Sequence, residues 1–141
     1  HGTVAGMPRI DMDKEVAVQE MCRELISLNV IRSAHDCSDG GLAIALAESA
    51  IAGGLGFSGD FKIHGRWDAG LFGEAQSRII VSLRPEKVGT FKALCDKKKV
   101  HFCPLGDVTG GKFTINKIIN LDMSLLHEKW SDSLENIGKN S

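Results

Sequence analysis

The sequence predicts one mixed α/β layered domain, and three observations carry that expectation. Segments with helical spacing alternate with short β-rich runs along all 141 residues, and no internal repeat or linker divides them. One run, Ile79-Ile80-Val81-Ser82-Leu83, is apolar almost throughout, as a central strand covered on both faces is. A strand-to-helix turn, His35-Asp36-Cys37-Ser38-Asp39-Gly40-Gly41-Leu42, links a short β run to an alanine-rich helix, and the rest of the chain is organised around it.

Composition narrows the function classes. With 43% hydrophobic and 25% charged residues, the chain is ordinary for one soluble domain and needs no disulfide to hold its core. A formal charge of −1 gives no basic field for nucleic acid. No apolar run approaches the roughly 20 residues of a membrane helix, and no signal-peptide pattern is visible, so a cytoplasmic protein is expected. Cys22, Cys37, Cys95 and Cys103 form no C-x-x-C pair, and reduced thiols filling core or turn positions are expected. A Cys37–His35 nucleophile is disfavoured, because neighbours along a strand point to opposite faces.

The chain opens on His1 and a loop through Pro8 with nothing to begin a fold, which reads as a fragment of a longer polypeptide. Asp11 or Asp13 caps a helix to about Leu28, with Val18, Met21, Cys22, Leu25 and Leu28 on its apolar stripe and Asn29 ending it. A strand over 30–36 follows, then the turn, then a helix from Leu42 to Ala52 whose alanines make it thin enough to lie against a sheet and another layer at once. Glu48 and Ser49 are its polar interior residues; Glu48 is placed to reach a metal or partner, or to be solvated. Gly53-Gly54 stops it, and 55–63 alternates as a half-exposed strand. After a turn at 64–67, Asp68 to Phe72 forms one helical turn closed by Gly73. Proline opens a helix at Arg84-Pro85-Glu86, and Lys97-Lys98-Lys99 closes it as solvated cap chemistry. Val100 to Cys103 is read as a strand, and 104–109 as one arm of a Gly110-Gly111 hairpin returning over 112–116. The last helix runs from Met123 to Ile137 with Leu125, Leu126, Trp130 and Leu134 inward, and frays into residues 138–141.

Two stretches carry candidate chemistry. In the first, Ser38 or Asp39 is placed to cap the helix, and Gly40 and Gly41 keep its first turn free of side chains so that another molecule can approach the main chain. Unpaired N–H groups and the helix dipole suit a phosphate there, and Asp36 is placed to hold Mg²⁺ shared with phosphate oxygens. The same residues also describe an ordinary cap and turn. The second stretch, Glu74-Ala75-Gln76-Ser77-Arg78, lies at the mouth of the apolar strand, where ligands often sit in α/β folds, or where a salt-bridged loop would sit.

Read together, these stretches resemble phosphoribosylformylglycinamidine synthase, a member of the aminoimidazole ribonucleotide synthetase superfamily. The similarity runs from His1-Gly2 and Ala5-Gly6-x-Pro8 through Ser33-Ala34-His35-Asp36-Cys37-Ser38-Asp39-Gly40-Gly41-Leu42, Leu71-Phe72-Gly73-Glu74-Ala75-Gln76-Ser77-Arg78 and Gly106-Asp107-Val108 to Trp130. Cys37 stands at a variable position, and Ala75 replaces a common serine. The resemblance implies the C-terminal domain of the large subunit, a three-layer α/β/α unit with a partly ferredoxin-like mixed sheet. It implies Asp36 as a magnesium ligand, Ser38 at the nucleotide, and Asp39, Gly40 and Gly41 as backbone and capping support. Glu74, Gln76 and Arg78 match a loop whose counterpart meets substrate.

The implied reaction converts formylglycinamide ribonucleotide to formylglycinamidine ribonucleotide with ATP and glutamine-derived ammonia. ATP phosphorylates the amide oxygen and ammonia displaces phosphate. This chain would supply one wall of a Mg²⁺–ATP/ADP site shared with a partner domain, would be inactive alone, and would work with the synthetase's N-terminal domains and a glutaminase. It offers no histidine that matches the family's chemical one. The competing readings are a structural interaction domain and a domain of a sister synthetase or kinase.

Overall fold

Asp11 begins the described fold by accepting the Lys14 N–H at 3.1 Å, so that helix α1 (Met12–Ser27) starts on a side-chain cap. The computed structural model describes residues 11–139, with side chains described to residue 132. The opening loop, the Leu134 side chain and residues 140–141 lie outside the described residues, while residues 138–139, expected to fray, continue the last helix. The elements that follow are β1 (Ile31–Asp36), α2 (Gly41–Gly53), β2 (Gly56–Gly59), α3 (Trp67–Phe72), β3 (Ile79–Leu83), a 3-10 turn at Pro85–Lys87, α4 (Val88–Lys98), β4 (Asp107–Thr109), β5 (Lys112–Ile115), β6 (Ile119–Asp122) and α5 (Met123–Lys139). Helices and mixed sheets alternate as the sequence predicts.

The described residues form two compact units. The first draws on 11–34 and 76–101, the second on 35–75 and 102–139. The unit boundary falls at the start of the first motif stretch, immediately before His35, and inside the second, between Ala75 and Gln76.

In the first unit β1 pairs with β3, and α1 and α4 supply most of the core. Met21, Leu25, Val30, Ile31 and Cys95 are buried together, with Cys22, Val81, Leu83, Phe91, Leu94 and Val100 packed against them. Leu28, expected on the stripe of α1, is instead exposed, because the helix has already ended at Ser27. The helix ends share one device. Asn29 (φ 53°) and Lys99 (φ 57°) take the left-handed conformation, so the Val30 and Val100 N–H groups reach back to Leu25 and Cys95 carbonyls at 2.9 and 3.0 Å. Both returning residues are valines that drop into the core. The lysine run is not purely solvated: Lys98 meets Glu24 of α1 at 2.9 Å. Hydrogen bonding from Lys98 holds the Glu24 carboxyl below its usual range, and the carboxylate in turn raises Lys98.

In the second unit a four-stranded mixed sheet runs β4-β2-β5-β6. The Gly110-Gly111 hairpin is therefore corrected. The two arms flank β2, which pairs antiparallel with β4 (Phe57 opposite Val108) and parallel with β5 (Phe57 opposite Phe113). Gly56 makes this insertion possible, since a Cβ there would run into the carbonyl oxygens of Gly110 and Lys112. The true hairpin joins β5 to β6, with Asn116 and Lys117 both at positive φ and Ile118 N–H closing on Ile115 at 2.8 Å. Two further strand expectations fail for want of ladder partners. Residues 100–103 form no strand, and 60–63 leave β2 because Asn116 clamps the Phe61 N–H and C=O at 2.9 and 2.5 Å.

The alternation of β2, β5 and β6 puts Phe57, Phe113 and Leu121 in one cross-strand row, with Phe113 and Ile115 fully enclosed. Helices α2 and α5 pack on this sheet, and α2 also packs on α3. Ala43, Ala45, Leu46, Ala47 and Ala50 are all buried, which is the close approach the alanine-rich sequence predicts. On α5, Leu126 and Trp130 are half-buried, whereas Leu125 is exposed. Among the described residues no helix is long and apolar enough to cross a membrane.

Candidate functional site

At the end of β1 the chain alternates sharply between inside and outside. Asp36 is exposed, Cys37 is 5% exposed, and Ser38 and Asp39 are exposed again. Burial of Cys37 fixes the turn and aims the oxygen-bearing residues on either side of it outward. Helix α2 then starts at Gly41, with Gly40 as its cap residue in the left-handed conformation (φ 76°) and no side-chain cap bond. Capping by Ser38 or Asp39 is thus corrected. Gly40 occupies the cap position, and the turn closes through the main chain, Gly41 N–H donating to the Ser38 carbonyl at 3.2 Å. The side-chain oxygens of Asp36, Ser38 and Asp39 are left without a hydrogen-bond or ion-pair partner among the described residues.

The two glycines serve the protein's own packing before anything else. A Cβ on Gly40 would lie 2.6 Å from Ile44 Cγ1, and one on Gly41 would lie 2.8 Å from the Gly73 carbonyl oxygen and 2.9 Å from that of Leu71. The vacant side of Gly41 therefore receives the C-terminal end of α3. That short helix is anchored in turn by Arg66, whose guanidinium holds Asp68 at 2.5 Å and keeps its carboxyl below the usual range. The expectation that both glycines leave room for a visiting molecule is corrected to this extent: their open sides face Ile44 and α3.

Sequence reasoning missed the contact that ties the turn together. His35 Nε2 lies 2.7 Å from Glu48 Oε2, linking the end of β1 to the second turn of α2, with both side chains about one-third exposed. A carboxylate only accepts, so Nε2 carries the hydrogen. The signal was present in the sequence as the single carboxylate inside a helix whose one other polar side chain is Ser49. Residues 35–48 contain Asp36, Asp39 and Glu48 but no lysine or arginine.

The second stretch is divided. Glu74 is exposed and shares a unit with the turn, whereas Gln76, exposed, and Arg78, half-buried, belong to the other unit. Within that unit Ser77, at φ 61°, donates to Glu15 of α1 at 2.6 Å; this bond first, and Gln19 second, lowers the Glu15 carboxyl. Two described cavities lie away from all these residues. One of about 290 Å³ in the first unit is lined by Arg32, Arg84 and Lys87 among others, and one of about 400 Å³ in the second by Ser58, Thr114 and Asn116 among others. Among the described residues no three His, Cys, Asp or Glu side chains group to hold a metal unaided. The four cysteines form no disulfide; Cys37 and Cys95 are buried, as core-filling thiols should be.

Comparison with known proteins gives this geometry its context. The family model described as AIR synthase related protein, C-terminal domain, matches residues 1–117. The chain belongs to that AIR synthase related family. Its turn and α2 fall within the matched residues. The phosphoribosylformylglycinamidine synthase subunit PurL of Moorella thermoacetica is 38% identical over 139 residues, covering 95% of this chain and 19% of the relative. That of Salinibacter ruber is 47% identical over 114 residues, covering 79% and 15%. The chain thus spans about a fifth or less of these curated relatives. Among solved structures, phosphoribosylformylglycinamidine synthase II of Thermotoga maritima superposes with a TM-score of 0.73 at 18% identity, covering 86% of this chain and 22% of that one. Thermotoga PurL complexed with ATP matches at a TM-score of 0.67, also at 18% identity, over 79% and 21%. These structures share the AIR synthase related fold with the chain.

Proposed function

We propose that this chain is the C-terminal domain of a phosphoribosylformylglycinamidine synthase, acting in the cytoplasm in purine biosynthesis. It contributes one wall of a Mg²⁺–nucleotide site and does not turn over alone. The observation that carries the reading is the 38% identity along 139 residues to the Moorella thermoacetica synthase subunit. Solved Thermotoga PurL complexes with ATP and with FGAR support a nucleotide and the ribonucleotide as the ligands of the whole enzyme.

The residues at the turn fit such a role. Two exposed carboxylates, in a stretch 35–48 that holds no lysine or arginine, would repel a phosphate, so a phosphate is accepted there with a cation between them. Asp36 offers a hard carboxylate oxygen suited to Mg²⁺, and the remaining ligands would come from phosphate oxygens and water, the usual arrangement for that ion. When bound, Mg²⁺ offsets negative charge on the phosphoryl oxygens. Ser38 donates its hydroxyl to a phosphate oxygen, and Asp39, Gly40 and Gly41 hold the main chain at the start of α2. Glu74, Gln76 and Arg78 are proposed to meet the ribonucleotide. The other synthetase domains and a glutaminase complete the enzyme.

A second reading, a purely structural interaction domain, is favoured by the glycines, whose open sides are filled from within. The assay that separates the two is ammonia-dependent formation of formylglycinamidine ribonucleotide by the intact synthase subunit carrying this domain. Activity there, lost on Asp36→Ala with folding retained, supports the first reading. Full activity of that variant supports the second, and turnover by the 141-residue chain alone contradicts the division of labour.

A further inference from the structure

We infer that His35 and Glu48 form a positioning clamp that holds the Asp36–Gly41 turn in its ligand-ready shape. The inference rests on the proposed nucleotide site and adds to it two residues outside the motif's ligand set. The clamp joins the last-but-one residue of β1 to a helix residue seven positions beyond Gly41, a rise of about 10 Å along α2. Its 2.7 Å bond therefore closes a loop that contains every turn residue proposed to meet the ligand, from Asp36 to Gly41.

The turn needs such a device. The side-chain oxygens of Asp36, Ser38 and Asp39 take no part in capping, and the main-chain contact that closes the turn, from Gly41 to Ser38, is long at 3.2 Å. Cys37 anchors it by burial, and α3 backs Gly41 from the other side. Against those fixed points, the His35–Glu48 bond sets where residues 35 and 36 stand relative to α2, and so where the Asp36 carboxylate stands relative to the first-turn N–H groups. Neither clamp residue touches the ligand in this account. Both act through the turn, as orienting groups behind metal ligands do.

The test measures ADP affinity, with Mg²⁺ present, in the intact synthase subunit carrying Asp36→Ala, Glu48→Asp or Glu48→Gln. Glu48→Asp keeps the charge but withdraws the oxygen by one methylene, so it breaks the bond; Glu48→Gln keeps an oxygen that accepts the same Nε2–H. The expected result is affinity weakened about tenfold by Glu48→Asp and within about threefold of the parent for Glu48→Gln, the size of one net hydrogen bond. A merely structural glutamate would not give this split with thermal midpoints alike. His35→Ala should weaken binding as Glu48→Asp does, and the double variant no further, because the two residues act as one unit. If Asp36→Ala abolishes binding while Glu48→Asp and Glu48→Gln bind equally, the clamp is wrong and the site stands. If Asp36→Ala binds as the parent does, the site itself is wrong.

Discussion

Replacing Gly41 by alanine tests how the turn is built. Gly41 sits at φ 71°, where an L side chain costs about 1–2 kcal/mol. Its new Cβ would also stand 2.8, 2.8 and 2.9 Å from backbone atoms of Gly73, Phe72 and Leu71. Backbone at the end of a helix cannot swing aside as a side-chain tip can, so α3 or the turn must shift, adding about 1–3 kcal/mol of overpacking. Stiffening of the unfolded chain returns up to about 1 kcal/mol. The net expectation is a loss of about 1–5 kcal/mol, read as a lower urea midpoint with an unchanged slope. Gly53→Ala is the matched control, because nothing lies within 4 Å of a Cβ there and its φ is ordinary. That variant should be neutral or stabilising by up to about 1 kcal/mol. Equal midpoints for Gly41→Ala and the parent would refute the packing role of this glycine.

Two further outcomes follow from the first unit. The Glu24–Lys98 pair lowers a carboxyl and raises an amine, so its stabilising contribution is present above the ordinary carboxylate range and is lost as pH falls through the lowered Glu24 value. It is likewise present below the ordinary lysine range and lost as pH rises through the raised Lys98 value, giving a window of about pH 5 to 10. Urea midpoints of the parent and Lys98→Met should therefore differ at pH 7 and converge towards pH 3; a constant gap contradicts the pairing. Lys99→Gly removes a Cβ from a left-handed helix end and should stabilise by about 0.5–1 kcal/mol in the same assay, with destabilisation as the contrary result.

Local chemistry made much of this structure legible in the sequence. Asp11 as a cap, the C-terminal ends of α2 and α4 and the single turn of α3 follow from residues acting on their own neighbours, and these stand within a residue of where the sequence puts them, whereas α1 stops one residue short of Leu28. What escaped depended on partners far along the chain. Gly110-Gly111 looks like a hairpin tip, but Gly56 admits β2 between its arms, a choice made some 55 residues away. Strand β6 went unread because Asn116-Lys117 lacks the usual glycine of a tight hairpin turn. Residues 100–103 have strand composition without a ladder to join. At the site, the strand-to-helix turn with Asp36 at the end of β1 was legible from the motif, but the expected Ser38 or Asp39 cap was not what formed. The roles of Gly40 and Gly41 were not legible, since only folding brings α3 against the turn, and the His35–Glu48 bond joins residues 13 positions apart that no local spacing rule pairs.

The central claim is that Asp36 meets a metal-bound phosphate, and the magnesium dependence of ADP binding to the intact synthase subunit tests it most directly. Calorimetric titration with and without Mg²⁺ should show the ion tightening ADP binding at least tenfold in the parent and leaving it nearly unchanged in Asp36→Ala, with both proteins melting alike. An equal magnesium effect in parent and variant would contradict the assignment of Asp36.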